Sequence, residues 1–391
     1  MIPRRTFVAG CSRAALGVPF LTLAGCSRPA PPAPEAAAPS GGKWESLIAD
    51  LERRIPSLLE QTPTVPALAV ALVDDGRLLW RGAFGVTDLA TKTPADRDTV
   101  FEAGSVSKTV FAYAALKACE NGVLDLDTPL TRYTSERVVA NDRRLDLITA
   151  RHVLAHTTGF QNWRSKTEPL AIRFTPGERW DYSGEGYFYL QSVLTHLTGH
   201  VDPSACERFA DGLRVCATDI DAYMKAHLLL PFGMASSGYL YHQGMARPHD
   251  EKGTMLADRK STPVQAARYA SAGNLHTTAT DYARFLIEVL DPKPADAYRL
   301  SGAMRREMLS AQAKVTDALS WGLGWAIDTP SGGDIVSHSG DNPGFKALTA
   351  ASLGRKSGFI ILTNGDRGFD LITLIVKTEL MQRFLPLTIQ A

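Results

Sequence analysis

The chain has 391 residues, of which 45% are hydrophobic and 21% charged, and its formal net charge at pH 7 is +1. This length can bury a large core and form two lobes, and the hydrophobic content is ordinary for a globular domain. The near balance of charge argues against a nucleic-acid partner or a polybasic membrane-binding surface.

Residues 1–25 predict an export signal. Arg4 and Arg5 precede an apolar stretch near residues 14–23, as in twin-arginine signals. That stretch is shorter than the about 20 residues that span a bilayer. Leu-Ala-Gly-Cys, ending at Cys26, resembles a bacterial lipobox, which predicts a periplasmic lipoprotein held to the membrane only by a lipid on Cys26. An uncleaved anchor and a plain secretory signal are the alternatives.

Residues 26–42 are rich in Pro, Ala and Gly and predict an extended tether in front of a domain at 43–391. Residues 44–59 predict an amphipathic helix. Two apolar, β-prone runs follow at 65–73 and 77–86, and Asp-Asp-Gly between them indicates a hairpin turn.

The tetrapeptide Ser105-Val106-Ser107-Lys108 is the first candidate for catalysis. Apolar residues at helical spacing follow it, so Ser105 is expected in the first turn of a helix with Lys108 on the same face. The free N–H groups there favour developing negative charge. The alternative is a helix-capping serine and a solvated lysine, and the same Ser-x-x-Lys pattern also occurs at Ser40 in the tether.

Tyr182 lies in a Pro- and Gly-containing loop just before a second helical stretch. A lysine ammonium beside it would lower the pKa of its hydroxyl, so Tyr182 is a candidate general base. The alternative is a buried aromatic ring with a satisfied hydroxyl.

The third motif, His338-Ser339-Gly340, is expected at the edge of a strand. His338 there could orient a carboxylate or assist proton transfer, and the small Gly340 would let a substrate backbone lie close to the strand. The alternative is a satisfied surface histidine. Nearby segments predict a helix at 280–289, strands at 324–328, 335–338, 345–352 and 359–363, and a last helix at 369–384.

Strands at both ends of the domain, with helices between them, predict an α/β fold of the α+β type. One antiparallel sheet would be built from both chain ends, with a mostly helical lobe at about 122–265 and an active site in the cleft between them. In an oxidising compartment Cys206 and Cys216 are candidates for a local disulfide, whereas Cys119 is expected to be a small core residue.

The three motifs occur in the order found in the penicillin-recognising serine hydrolases, and the chain resembles the branch with class C β-lactamases, D-Ala-D-Ala carboxypeptidases and related esterases. Further segments of this resemblance are Leu154–Gly159, Thr175–Gly177 and Gly322–Trp325. The similarity extends from about Trp44 to the end of the chain, and it implies the fold already predicted.

The resemblance implies that Ser105 is the nucleophile, that Lys108 and Tyr182 share the acid and base work, and that His338 assists. The backbone N–H groups of Ser105 and Asp341 would form the oxyanion hole. Ser339, Gly340 and Gly184 would contact a small-molecule or peptide substrate. Neither a metal nor another cofactor is implied.

Two departures from the family pattern favour an esterase or D-amino-acid peptidase over a β-lactamase. His338 replaces a lysine with a side chain that is mostly neutral at pH 7. Gly184 replaces an asparagine whose amide binds the acylamino group of penicillins. A true class C β-lactamase and a slowly deacylating or non-catalytic sensor of peptidoglycan or β-lactams remain alternatives.

Two other hydrolase classes fit less well. The Gly-x-Ser-x-Gly pentapeptide of α/β-hydrolases does not occur in the sequence. His152 and His156 have helical i, i+4 spacing, but the glutamate of a His-Glu-x-x-His zinc motif is missing.

Overall fold

The structure is a computed structural model that describes residues 42–135, 137–199, 206–208, 214–241, 244–257 and 269–387. The side chains of residues 206–208 and 214–218 are excepted. The predicted export signal, the lipid site at Cys26 and most of the tether lie outside the described residues.

Eight strands form one antiparallel sheet in the order β2-β1-β12-β11-β10-β9-β8-β7. The pairs β3–β6 and β4–β5 form separate two-stranded ribbons. The strands are β1 Ala67–Asp74, β2 Arg77–Gly85, β3 Phe101–Glu102, β4 Cys206–Arg208, β5 Arg214–Cys216, β6 His276–Thr277, β7 Ala313–Lys314, β8 Leu319–Trp321, β9 Ala326–Asp328, β10 Ile335–Asn342, β11 Phe345–Ser352 and β12 Ser357–Thr363.

Helices cover both faces of the sheet, and five of the α-helices that the structure describes lie between β3 and β6. They are α1 Glu45–Gln61, α2 Ser107–Glu120, α3 Ala150–Leu154, α4 Gly184–Thr198, α5 Ala217–Met224, α6 Ala270–Gly273, α7 Ala279–Leu290, α8 Gly302–Met308, α9 Gly368–Val376 and α10 Glu379–Phe384. Within the described part of the chain, none of these helices has the length and apolar character needed to cross a membrane.

The predicted N-terminal hairpin is confirmed. Asp75 and Gly76 form its turn with φ values of 49° and 68°. Positive φ at both central residues matches the right-handed twist of the flanking strands, and Asp-Gly adopts it at low cost. The local sequence therefore sets the register between β1 and β2.

Strand β1 is buried on both faces, which explains its continuous apolar sequence. Ala67, Ala69 and Ala71 contribute to the larger core, which also contains α2 and α7. Leu68 and Leu72 contribute to a second core beneath α1, α9 and α10. Alternate residues of one strand thus hold two helical layers against a single sheet.

The predicted fold class is confirmed, because the sheet joins strands from the two ends of the domain. Strand β1 pairs antiparallel with β12, with Leu68 opposite Thr363 and Val73 opposite Gly358. This pairing fixes the chain end beside the N-terminal hairpin, and β11 connects β12 to β10 and its motif.

The single helix predicted at 369–384 is wrong in one respect, because the structure divides it into α9 and α10. Thr378 lies between them in an extended conformation, and its hydroxyl accepts a hydrogen bond from the Met381 N–H. A threonine in this role starts a new helix. Because the apolar periodicity continues across Thr378, it does not indicate that one helix ends there and another begins.

Cys206 and Cys216 lie opposite each other in the ribbon formed by β4 and β5. Directly opposed Cα atoms in antiparallel strands are about 4.5–5.5 Å apart, within the range that a disulfide bridges. The two side chains lie outside the described part of the structure, so the disulfide stays a prediction.

Candidate active site

The nucleophile turn is a short 3-10 helix, Gly104–Val106, that leads directly into α2. Gly104 has φ of +53°, and a Cβ there would lie 2.8 Å from the Asp341 nitrogen. The Ser107 hydroxyl donates to the Gly104 carbonyl at 2.6 Å and accepts from the Leu275 N–H at 2.8 Å. These contacts hold Ser105 against β10 and α6.

Lys108 is fully buried one turn after Ser105, as its spacing predicts. Its Nζ atom donates to the Ser105 Oγ at 3.2 Å and to the Ala272 carbonyl at 2.5 Å. Burial penalises the ammonium form and lowers the pKa of Lys108 to about 7. A substantial fraction is therefore neutral amine near pH 7, which can accept the serine proton.

Tyr182 completes this group, since its hydroxyl lies near the Ser105 side chain. The Lys108 Nζ lies 4.9 Å from the centre of the tyrosine ring. The expected lowering of the Tyr182 pKa by a lysine ammonium is wrong. Burial raises the pKa of Tyr182, because a phenolate would be poorly solvated there. Tyr182 therefore keeps its proton at neutral pH and can serve as a relay.

His338 is buried at 4% exposure and is not a surface histidine. Its Nδ1 is 2.7 Å from the Ser339 carbonyl oxygen, so Nδ1 carries the proton and Nε2 carries a lone pair. Burial, and then the charge of Lys108, lower the pKa of His338 to about 3. The ring is neutral at working pH, and its buried Nε2 has no hydrogen-bond partner among the described residues.

The structure adds His156, which sequence analysis considered only as a zinc ligand. Helix α3 ends at Leu154, and His156 follows with φ of 56°, so it does not share a helical face with His152. Its ring lies 4.2 Å from that of Tyr182, and its Nδ1 accepts the Ser183 N–H at 3.1 Å. Burial lowers its pKa well below the usual value.

His156 therefore positions Tyr182 as a neutral packing partner. The signal for it was the segment Leu154–Gly159, which sequence analysis used only as a sign of resemblance. Among the described residues, no group of three or more His, Cys, Asp and Glu side chains is arranged to hold a metal ion.

Asp341 is the predicted second backbone donor, and its nitrogen lies beside the nucleophile turn. Its carboxylate is exposed and pairs with the Lys346 Nζ at 2.9 Å. Ser339 is exposed and lines the cleft. The assignment of the Ser105 and Asp341 N–H groups as an oxyanion hole stays a prediction that this placement supports.

The structure gives a different reason for Gly340 from the one expected. A Cβ at Gly340 would lie 2.1 Å from the Ala103 carbonyl oxygen. The glycine is therefore required where β10 packs against the residues that precede Ser105, and the space beside it is filled by protein rather than substrate.

Gly184 also requires a correction as a substrate-binding residue. It is buried as the first residue of α4, and its open side is covered by the Trp163 indole. Trp163, rather than Gly184, lines the cleft. Trp163 is not predictable as a site residue from the sequence, because nothing in the local sequence shows which ring contacts a glycine more than twenty residues away.

The cleft that contains Ser105, Tyr182 and His338 has a volume of about 1960 Å³. Two more indoles stand beside the catalytic groups: the ring of Trp321 lies 5.4 Å from that of His338 and 5.6 Å from that of Trp180. The site thus combines a buried lysine, a protonated tyrosine and a neutral histidine within a largely aromatic wall.

This fold and serine-lysine-tyrosine arrangement define a serine hydrolase class. The profile of the Beta-lactamase family matches residues 55–375, and the chain belongs to that family, within the penicillin-recognising serine hydrolases. The predicted resemblance is thereby confirmed.

Two curated relatives illustrate the range of this family. The chain is 26% identical over 352 residues to Esterase EstB of Burkholderia gladioli, covering 75% of this chain and 84% of the relative. It is 23% identical over 346 residues to Penicillin-binding protein 4* of Bacillus subtilis, covering 79% and 70%.

Two solved structures share the fold. A D-alanine carboxypeptidase AmpC from Burkholderia cenocepacia superposes with a TM-score of 0.65 at 20% identity, covering 85% of this chain and 98% of the other. An octameric penicillin-binding protein homologue from Pyrococcus abyssi gives 0.67 at 19% identity, covering 87% and 79%.

Replacing Tyr182 with phenylalanine is expected to reduce turnover about 10²–10³-fold, because the variant loses its proton relay but keeps its ring. The thermal unfolding midpoint should change little. Tyr189→Phe is the matched control, since it also removes a buried tyrosine hydroxyl. The Tyr189 hydroxyl has no hydrogen-bond partner among the described residues. Equal turnover of Tyr182→Phe and Tyr189→Phe would remove Tyr182 from the mechanism.

Proposed function

We propose that this protein hydrolyses small ester substrates through an acyl-enzyme on Ser105. One observation carries the proposal: the Nζ of fully buried Lys108, with a pKa of about 7, donates to the Ser105 hydroxyl. A serine beside an amine that is partly neutral at working pH has a base within reach for nucleophilic attack.

In the acylation step, the Ser105 oxygen attacks the ester carbonyl carbon while its proton passes to the neutral Lys108 amine. The carbonyl oxygen becomes an oxyanion next to the N–H groups of Ser105 and Asp341. Collapse of the tetrahedral intermediate breaks the bond to the alcohol. The leaving oxygen takes a proton from Tyr182, and the Lys108 ammonium restores that proton.

In the deacylation step, water attacks the acyl carbon and its proton passes through Tyr182 to Lys108. The bond between the acyl carbon and the Ser105 oxygen then breaks, and the Lys108 ammonium returns a proton to that oxygen. The His338 Nε2 is buried and has no hydrogen-bond partner among the described residues. A pKa of about 3 makes His338 too weak a base to hold the proton itself. His338 therefore does not carry the proton, and Lys108 holds it in both steps.

The charge of the site favours a neutral ester over a penicillin or a D-peptide, both of which bear a carboxylate. At the position on β10 that faces the catalytic groups, His338 is neutral and its only proton is already donated to Ser339. A carboxylate placed there would be desolvated beside a neutral histidine, and the only partly protonated Lys108 would compensate its charge incompletely. The similarity to Esterase EstB is consistent with this preference.

The test measures turnover and intact mass with p-nitrophenyl acetate, benzylpenicillin and a D-Ala-D-Ala peptide in parallel. We expect ester turnover, with kcat/KM for the two carboxylate substrates lower by about 10²-fold or more, on the scale of an unpaired buried charge. Faster penicillin hydrolysis would instead indicate a β-lactamase. A persistent penicillin adduct without ester turnover would indicate a sensor.

We also propose that the protein is exported and anchored through a lipid on Cys26. The lipobox-like sequence that ends at this cysteine supports the proposal. Expression of the full chain in a bacterium with lipoprotein processing should place it in the detergent phase of a two-phase extraction. Cys26→Ser should move it to the aqueous phase, and equal partitioning of the two proteins would contradict lipidation.

A further inference from the structure

The Trp163 indole occupies the space that a side chain at position 184 would fill. A Cβ built on Gly184 would lie 2.3 Å and 2.4 Å from the Cζ2 and Cη2 atoms of that ring. Position 184 lies two residues after Tyr182, at the start of α4. The glycine and the tryptophan are therefore coupled: the ring can lie there only because residue 184 has no side chain.

Hydrogen bonds clamp the segment that carries Trp163 to the start of α4. The Gly184 N–H donates to the Asn162 Oδ1 at 2.9 Å, and the Glu185 N–H donates to the Asn162 carbonyl at 3.0 Å. Beyond the tryptophan, the Arg164 N–H and guanidinium donate to the Glu185 carboxylate at 2.9 Å and 2.7 Å. Glu185 is only 3% exposed, so this clamp is largely shielded from water.

Contacts on both sides hold the Trp163 ring itself. One edge packs on Gly184, and the Tyr269 ring lies 5.1 Å away in an edge-to-face arrangement. Yet 40% of the residue is exposed, and it lines the same cleft as Ser105 and Tyr182. A large apolar surface held in place and open to a catalytic cleft is prepared for a ligand.

The cleft lining that includes Trp163 is also rich in apolar side chains. It contains Val138, Val139, Pro169 and Leu170. The lining also carries polar side chains, among them Asn162, Arg164 and Ser165, but an alkyl group placed against the four apolar residues would gain by leaving water. This lining favours the apolar arm of an ester.

We infer that Trp163 is a specificity-determining residue that binds the acyl chain of the substrate, an inference that rests on the proposed esterase function. The acyl group stays bound through both steps, while the alcohol departs after the first. A clamped apolar wall therefore contributes most to the part of the substrate that stays. The preferred substrates are esters of apolar acids of a few carbons or more.

The test compares p-nitrophenyl acetate with p-nitrophenyl hexanoate for the wild type, Trp163→Ala and Tyr298→Ala. Burial of each added methylene is worth about a fourfold gain in kcat/KM in a matching apolar site. We expect Trp163→Ala to lower the hexanoate-to-acetate ratio of kcat/KM about tenfold. Tyr298→Ala, which removes a ring of similar exposure (38%) that does not line the cleft, should leave the ratio unchanged.

A second series, acetate esters of alcohols of increasing length, separates the two arms of the substrate. In Trp163→Ala, kcat/KM should change with the length of the alcohol in the same way as it does in the wild type. The inference would be overturned if Trp163→Ala changed the dependence of kcat/KM on alcohol length but not its dependence on acyl length. It would also be overturned if the hexanoate-to-acetate ratio of kcat/KM stayed constant or rose in this variant. A wild type that hydrolyses none of these esters would instead contradict the proposed function.

Unfolding measurements test the contact without relying on activity. Gly184→Ala should lower the unfolding midpoint in the wild type, because its Cβ meets the ring, and should lower it much less in a Trp163→Ala background. Equal effects in the two backgrounds would show that the ring does not occupy this space and would overturn the inference.

Discussion

Replacing Ser105 with alanine is expected to reduce ester turnover by about four orders of magnitude or more, because the step that forms the acyl-enzyme loses its nucleophile. The same change should abolish any covalent adduct detected by intact mass. The fold should be retained, since the surrounding turn is held by Ser107 and by packing against β10 rather than by the Ser105 side chain.

The chain supplies its own control for this variant. Ser40 begins a second Ser-x-x-Lys tetrapeptide in the Pro- and Ala-rich segment before the domain. Ser40→Ala should keep full turnover and the adduct. An adduct of equal yield on Ser105→Ala would place the nucleophile elsewhere and remove the basis of the proposed mechanism.

The second large effect is expected at Lys108. In the wild type, kcat/KM should fall about tenfold for each pH unit below 7 and level off above it, because Lys108 must be unprotonated to act as a base and its pKa is about 7. Lys108→Met should lower kcat/KM about 10²–10⁴-fold and remove this inflection. The measurement is the full pH profile of kcat/KM for both proteins.

Histidine is the usual source of an inflection near pH 7 in a pH profile, but neither of the two histidines at the site titrates near that pH. The pKa of His338 is about 3, and that of His156 is well below its usual value. Lys117→Met is the matched control, since Lys117 lies on the same helix and pairs with Glu120 away from the cleft. An inflection that persists in Lys108→Met would show that another group is the base.

Local sequence was enough to predict the parts of the fold whose geometry depends on near neighbours. Asp75 and Gly76 specify the turn between β1 and β2 whatever surrounds them, and the apolar periodicity of α1 depends only on its own residues. The same limit explains the error at Thr378. Apolar spacing reports the buried face of a helix but not the residue at which one helix stops and the next begins.

The sequence by itself determined which groups are available for chemistry: a serine and a lysine three residues apart at the start of a helix, a tyrosine before another helix, and a histidine on a strand. It also determined the antiparallel sheet, through apolar strands at both ends of the domain. These features depend on residue type, spacing and periodicity, all of which can be read along the chain.

Only the tertiary structure decided how those groups behave. Burial brings the pKa of Lys108 to about 7. Burial also raises the pKa of Tyr182, whereas a neighbouring ammonium alone would lower it. The pairing of Trp163 with Gly184 likewise depends on a loop folding back onto the start of a helix. Desolvation and contact are set by every segment packed around a residue, and that environment exists only once the chain has folded.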